Sequence, residues 1–429
     1  MTFSTEQYKL NLKKQVPSYF VLFVAAVYFF YCMVQLSVFN ALSQKIMVVF
    51  SLSYGQFGYL SSVYLYAMAI ALFPIGMLFD RFSIRKIFLI SMGLIILAVA
   101  ILALTSNVFV GGMCRAVCGI AHGIAFLGGL RLASKCFPLH SVLATGVFIS
   151  IGLTGGIVAA TPFAALVNVM DWRIAMLLNA FVGLLFWIMV FIVIHDDKPN
   201  NKLQQTAYLK NMLFWHQIKN VMMNRQNWLC GLYIGLLNLS VYLLASLWGN
   251  VYLIDKYHIP NNTAAAINSM VFLGIIIGSP IAGWISDRLE RRKLPMMLGA
   301  ALTLITIVII IKATTYSSLF MFTAFLLLGV FSSAQVIGFP SITESNLAVL
   351  TSTAMGFATF IVNILGGLGQ SLFGWLMQYH NNLQLSTHTT SIEGSQMAIF
   401  ILPISFLIAF IATLFMRETF ISETKRHRK

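Results

Sequence analysis

Charge is what this sequence has least of. Only 9% of its 429 residues are Asp, Glu, Lys or Arg, against about 25% in soluble domains, and that scarcity excludes an ordinary water-soluble globule. Acid is rarer than base: twelve carboxylates face 27 Lys and Arg, leaving a net charge of +15. All twelve (Glu6, Asp80, Asp171, Asp196, Asp197, Asp255, Asp287, Glu290, Glu344, Glu393, Glu418, Glu423) fall in loops, tails or the ends of apolar runs. Paired buried carboxylates for acid–base catalysis are therefore absent. Cysteine is limited to Cys32, Cys114, Cys118, Cys136 and Cys230, each within or at the end of an apolar run, where no disulfide is expected. Cys114 and Cys118 share a helical face, as small packing residues rather than a metal pair. With no Ser/His/Asp constellation, phosphate-binding Gly loop or metal-ligand spacing, no enzymatic activity, cofactor or metal is expected.

Apolar residues fill the space that charge leaves. They make up 59% of the chain, and the mean hydropathy is +0.86. A helix needs roughly 20 apolar residues to cross about 30 Å of hydrocarbon, and twelve runs qualify: 17–42, 55–79, 87–105, 108–134, 141–166, 172–194, 227–254, 264–285, 294–312, 317–339, 349–377 and 396–417. Each is continuous rather than alternating, which selects helices over a barrel. The first run follows a 16-residue polar stretch and lacks a small-residue cleavage site, so it is read as a span and not a signal peptide.

The surplus of base reports topology. With both termini on the cytoplasmic side, 22 of the 27 Lys and Arg lie there, while Lys45, Arg173, Lys256 and Lys312 lie outside and Arg115 sits within the fourth span. Such asymmetry is what the positive-inside rule requires, and no nucleic acid is needed to explain it. The spans divide into a six-helix bundle over 1–194, a cytoplasmic linker over 195–226 with an amphipathic surface helix at 207–223, and a second bundle with a basic tail over 227–429.

The halves repeat each other. "GMLFDRFSIRK" at 76–86 returns as "GWISDRLERRK" at 283–293, which puts Asp80 and Asp287 207 residues apart, each four residues after a Gly and each followed by Arg81 or Arg288 and a basic pair. Phe137–Pro138 is echoed by Phe339–Pro340, and Gly155–Gly156 by Gly366–Gly367.

Twelve spans in two parallel-related halves, G-x-x-x-D-R-x-x-x-R-K at both second-to-third loops, and Arg115-x-x-x-Gly119 in the fourth span resemble the major facilitator superfamily over essentially the whole chain. The resemblance implies an all-α membrane fold of two pseudo-symmetric bundles, in a bacterial inner membrane. It also implies that Asp80, Arg81, Arg85, Asp287, Arg288 and Arg292 gate, the aspartates latching the cytoplasmic ends of the halves together when the transporter faces outward. "YFFYCMVQLSVFNAL" followed by "GYLSSVYLYAMAIALFPIGMLFDRFSIRK" resembles the Pht-type phagosomal nutrient transporters, which implies amino-acid or nucleoside uptake.

Polar residues at mid-membrane depth are costly and face a cavity. Arg115 is the deepest base, with His122 two turns on. Tyr31 and Gln35 stand on the first span. An i, i+4 ladder of Asn238, Tyr242, Ser246 and Asn250 runs along the seventh, Gln335 lies on the tenth, and Asn363 and Gln370 lie on the eleventh. Arg115 suits a carboxylate held by two hydrogen bonds, and the amides and phenols suit an ammonium or polar side chain. Uptake of an amino acid or short peptide by a monomer is therefore expected. Proton coupling is expected through His122, which rests neutral beside Arg115 until an anionic substrate group arrives. Export of drug-like or siderophore-like compounds is the alternative, although "GVFISIGLTGGIVAATP" lacks the antiporter pattern G-x-x-x-G-P-x-x-G-G. Lipid handling without solute uptake is the third reading.

Overall fold

The computed structural model describes residues 17–137, 141–195, 214–347, 350–387 and 394–420, and every regular element among them is helical. Six long helices form the first half: α1 (Ser18–Val49), α2 (Tyr54–Arg81), α3 (Ile84–Leu104), α4 (Val108–Cys136), α5 (Ser141–Ala160, continued by Pro162–Val169) and α6 (Trp172–Val193). The second half holds α7 (Arg225–Leu237, Ser240–Trp248 and Gly249–Tyr257), α8 (Asn261–Arg288), α9 (Lys293–Lys312), α10 (Ser318–Ser332, Ser333–Ile337 and Gly338–Glu344), α11 (Thr351–Thr387) and α12 (Gly394–Ala398 and Ile401–Phe415). Eleven of these are long and apolar enough to cross a bilayer, and α2, at 28 residues, has the length to do so. The ends differ most from expectation at α1 and α11, whose helical backbone runs past the apolar stretch.

Short polar caps set where the helices begin. Ser53 and Gln56 form a reciprocal capping box at α2. The Asn107 side chain accepts the Phe109 and Val110 N–H groups at α4, and Asp171 accepts Arg173 N–H at 2.7 Å at α6. Exposed Ile90, Leu94, Leu97 and Ile101 form a stripe along α3, and Phe181, Leu185, Ile188 and Ile192 do so on α6, as lipid-facing surfaces require.

Packing repeats with an offset of six. α1 lies on α5, α2 on α4, α3 on α6 and α1 on α6; α7 lies on α11, α8 on α10, α9 on α12 and α7 on α12. Across the halves the pairs are α2 with α11, α5 with α8, and α1 with α7, which is the pattern a two-fold relation produces. Close approach at equivalent seams depends on glycine. A Cβ on Gly119 of α4 would strike the Tyr64 carbonyl of α2, and one on Gly329 of α10 would strike the Val271 carbonyl of α8.

The end of the bundle poor in base is here called outer and the basic end inner. Hydrogen bonds joining described residues of the two halves lie towards the outer end: Ser53 and Gly55 with Gln378, Ser62 with Ser371 at 2.9 Å, Thr161 with Ser269 at 2.5 Å, Asn168 with Asn262 at 2.6 Å, and Ser37 and Asn40 with α7. At the inner end the bonds that join described residues to one another stay within each half. Asp287 pairs with Arg292 at 2.6 Å, and Arg292 also grips Glu344 of α10 at 2.8 Å. Arg85 donates to the Phe191 carbonyl at 3.0 Å, and Arg288 lies over the Trp284 ring. Asp80 and Arg81 end α2, but their side chains lie outside the described residues. Of the surface helix expected at 207–223, Phe214–Met223 is helical and the remainder lies outside the described residues.

The chain after α12 straps the inner ends of the second half. Gln226 of α7 exchanges two hydrogen bonds with the Arg417 backbone, and Thr419 reaches Ser341 and Glu344. Glu418 caps α9 through the Arg292 and Lys293 N–H groups at 2.7 and 3.1 Å. Partial burial works to raise the Glu418 pKa, but four backbone N–H donors outweigh it and hold it below the ordinary glutamate value. A depressed pKa stabilises the strap above the unfolded-state value, and that stabilisation is lost as pH falls through the folded-state value. Glu418→Gln is expected to lower the thermal midpoint in detergent at neutral pH by the equivalent of about 0.5–1 kcal/mol, and the gap to the parent protein should close as the pH falls through the depressed folded-state value; a gap unchanged by pH would disprove the carboxylate cap.

Candidate functional site

Arg115 stands two turns inside α4, roughly 10 Å below the outer end at 1.5 Å per residue. It is 1% exposed. Nη1 donates to the Gln35 carbonyl of α1 at 2.7 Å and Nη2 to the Ser61 carbonyl of α2 at 3.3 Å. The guanidinium lies 4.1 Å from the Phe39 ring centroid and 4.5 Å from that of Tyr64, a cation between two aromatic faces. No Asp or Glu pairs with it among the described residues. Its Nε and the nearby Ser61 hydroxyl are buried with no partner. Carbonyl dipoles and ring faces offset part of the cost of burying the charge, and the rest goes unmet.

Tyr64 links this cation to His122. Its hydroxyl donates to the Cys32 carbonyl at 2.9 Å and lies 2.7 Å from His122 Nδ1. His122 is 3% exposed, edge-on to Phe29, and lies about 21 Å below the outer end of α4, near mid-bilayer. Gly119, one turn before it, lets α2 come close enough for the Tyr64 contact.

The remaining expected residues divide into three groups. Tyr31 and Gln35 face α6: Tyr31 donates to the Asn179 carbonyl at 3.3 Å, and Gln35 and Asn179 exchange a reciprocal amide pair at 3.2 Å. Tyr242 of α7 donates to Asn363 of α11 at 3.2 Å, and Gln370 donates to the Tyr242 carbonyl at 3.0 Å. Gln335 of α10 donates to Asn238 at 3.4 Å. The Gln335 and Gln370 Oε1 atoms are buried without partners. Tyr242 comes close to α2 near Gly366, where an added Cβ would strike the Tyr242 ring and touch Leu65, the residue after Tyr64.

The ladder Asn238, Tyr242, Ser246 and Asn250 runs through Ser240–Trp248, which is π-helical, and its members bond to α10, α11, α1 and α8 in turn. At the matching level of α10, Gln335 lies in a 3-10 stretch. Irregular backbone at membrane depth is tolerated where it is buried in protein or lines a cavity. Sequence reading also missed Tyr64, Ser61, Phe39, Asn179 and Asn40. The polar interruption "SSVYLY" in an apolar run was the available signal for the first two.

A family model described as Major Facilitator Superfamily matches residues 24–374 and again 230–429. An uncharacterized transporter of Bacillus subtilis, YybO, is 23% identical over 57% of this chain and 60% of its own length, so the chain spans about three fifths of that relative. A D-galactonate transporter of Escherichia coli is 22% identical over 76% of this chain and 80% of its own. Among solved structures, a bacterial homolog of the human lysosomal transporter Spinster, inward-facing and unoccupied, superposes with a TM-score of 0.72 at 15% identity, covering 94% of this chain and 97% of that one. At that identity the likeness is one of fold.

Tyr64→Phe tests the hydrogen-bond chain. It removes one hydroxyl and leaves His122 Nδ1 buried without that partner, so a destabilisation of about 1–3 kcal/mol in detergent unfolding is expected; a neutral result would show that Nδ1 finds another partner.

Proposed function

Because the chain belongs to the Major Facilitator Superfamily of secondary transporters, we propose that it takes up a small polar carboxylate by alternating access, in symport with protons, across a bacterial inner membrane. The observation that carries this reading is the buried Arg115, which meets only carbonyls and aromatic rings and keeps Nε free beside the free Ser61 hydroxyl. A substrate carboxylate supplies the missing countercharge and accepts from both.

The rest of the solute is a hydroxylated chain. Free amide oxygens on Gln335 and Gln370 accept hydrogen bonds, and no described residue offers a buried carboxylate at that level to neutralise an ammonium. Neutral hydroxyl donors meet neutral amide acceptors without that penalty. The relative named as a D-galactonate transporter supports a hydroxy acid. An amino acid is the second reading, favoured by the resemblance of the first two spans to Pht-type transporters.

His122 carries the proton. An anion held at Arg115 lowers the cost of an imidazolium near Tyr64, so protonation and substrate binding favour one another. The outer ends are bonded together, while the inner-end bonds joining described residues to one another stay within their own halves, which supports the reading of a state that releases cargo inward.

Reconstituted liposomes decide between the readings. Labelled galactonate-type acids, amino acids, dipeptides and nucleosides are offered with and without an inside-alkaline pH gradient; accumulation of the hydroxy acid is expected, and accumulation of an amino acid alone would select the second reading. Arg115→Lys should cut uptake at least about tenfold, since an ammonium cannot reproduce the guanidinium fork. His122→Phe should abolish accumulation driven by the pH gradient while sparing counterflow; gradient-driven uptake that survives in this variant would remove the histidine from coupling.

A further inference from the structure

The π-helical stretch of α7 ends with a backbone mismatch that the opposite half resolves. Gly249 N–H bonds back five residues to the Leu244 carbonyl. The π segment ends at Trp248, so Asn250 N–H does not continue that register to Ala245 and meets Asn40 Oδ1 at 3.3 Å. The Ala245 carbonyl is thereby skipped. Left alone, it is an unsatisfied acceptor deep in protein, a costly state.

Asn40 of α1 meets that gap. It is 1% exposed, its Nδ2 donates to the Ala245 carbonyl at 3.0 Å and the Leu244 carbonyl at 3.3 Å, and its Oδ1 accepts Asn250 N–H at 3.3 Å. One side chain thus spans the register change. The amides continue beyond it: Asn268 of α8 donates to Asn250 Oδ1 at 2.6 Å, and Asn250 donates to Asn261. No charged side chain bonds to this group among the described residues, which leaves backbone geometry as its basis.

We propose that Asn40 is a positioning residue for the transport cycle: it holds α7 in the π register and thereby seals the outer end, and withdrawal of Asn40 on opening lets α7 shift towards α. The inference rests on the alternating-access reading. When α1 and α7 separate, Ala245 loses its donor, and the nearest replacement is Gly249 N–H in ordinary α register. That shift turns the preceding segment about the helix axis and moves Tyr242 relative to Asn363. Opening the gate and remaking the binding face then become one event.

Two readouts that need no substrate test this, so they hold or fail apart from the uptake assay. Amide hydrogen exchange is followed in the peptide covering 244–250. Spin labels on cysteines placed at Val169 and Leu319, which are 86% and 80% exposed at the outer ends of the two halves, report their separation. Asn40→Ala is expected to speed exchange at 244–250 about tenfold or more and to lengthen the distance. Ser37→Ala, which removes a neighbouring 3.4 Å hydroxyl contact to Ser246 but no carbonyl partner, should leave both unchanged. Should Asn40→Ala fail to fold, Asn40→Leu keeps the volume, adds no charge and removes the donor to Ala245, so the same pair of changes is expected. Unchanged exchange at 244–250, a longer distance without faster exchange, or equal effects from Ser37→Ala would each overturn the proposal.

Discussion

A guanidinium buried among three helices, with no carboxylate paired to it among the described residues, is the constraint on which the rest of the molecule turns. Arg115 cannot shed its charge, so the surroundings answer it with two carbonyls and two aromatic faces. Those contacts draw α1, α2 and α4 together at one depth and fix Tyr64, which in turn orients His122. A cation met only by dipoles and quadrupoles still has affinity for an anion. On the proposed reading, structural stability of the first half and recognition of cargo draw on the same side chain.

Departures from regular helix lie in the second half, opposite that charge. The π stretch of α7 and the 3-10 stretch of α10 carry Tyr242 and Gln335. Every helix here must satisfy its own backbone because lipid offers no hydrogen bonds, so irregularity survives only where another part of the protein meets the orphaned groups. Asn40 does so from across the interface, which makes the local geometry of one half dependent on its distance from the other.

The halves are alike in packing and unlike in chemistry. Equivalent glycine seams bring α2 to α4 and α8 to α10. Deep charge and a titratable ring occur in the first half, whereas the second presents amides and ties its inner ends with Arg292, Glu344 and the Glu418 strap. A duplicated scaffold can move as two rigid bodies while the binding face between them stays asymmetric.

The twelve apolar runs, the sidedness of Lys and Arg, the repeat of the Asp–Arg cluster and the prominence of Arg115 and His122 were all legible in the sequence, because hydrophobic length and buried charge act locally and strongly enough to show in one dimension. Which side chains surround Arg115 was not. Phe39, Ser61 and Tyr64 are unremarkable in an apolar chain until α1, α2 and α4 converge, and Gln35, read as cavity-facing, spends its side chain on Asn179 and its carbonyl on the guanidinium. The π stretch of α7 was not legible for a related reason: the donors that meet its carbonyls include Asn40, 205 residues away. Composition and periodicity therefore determined that the chain spans a membrane as two related bundles. Tertiary structure alone decided which polar groups are satisfied and which remain free, because that balance is set by partners brought together only in the folded molecule.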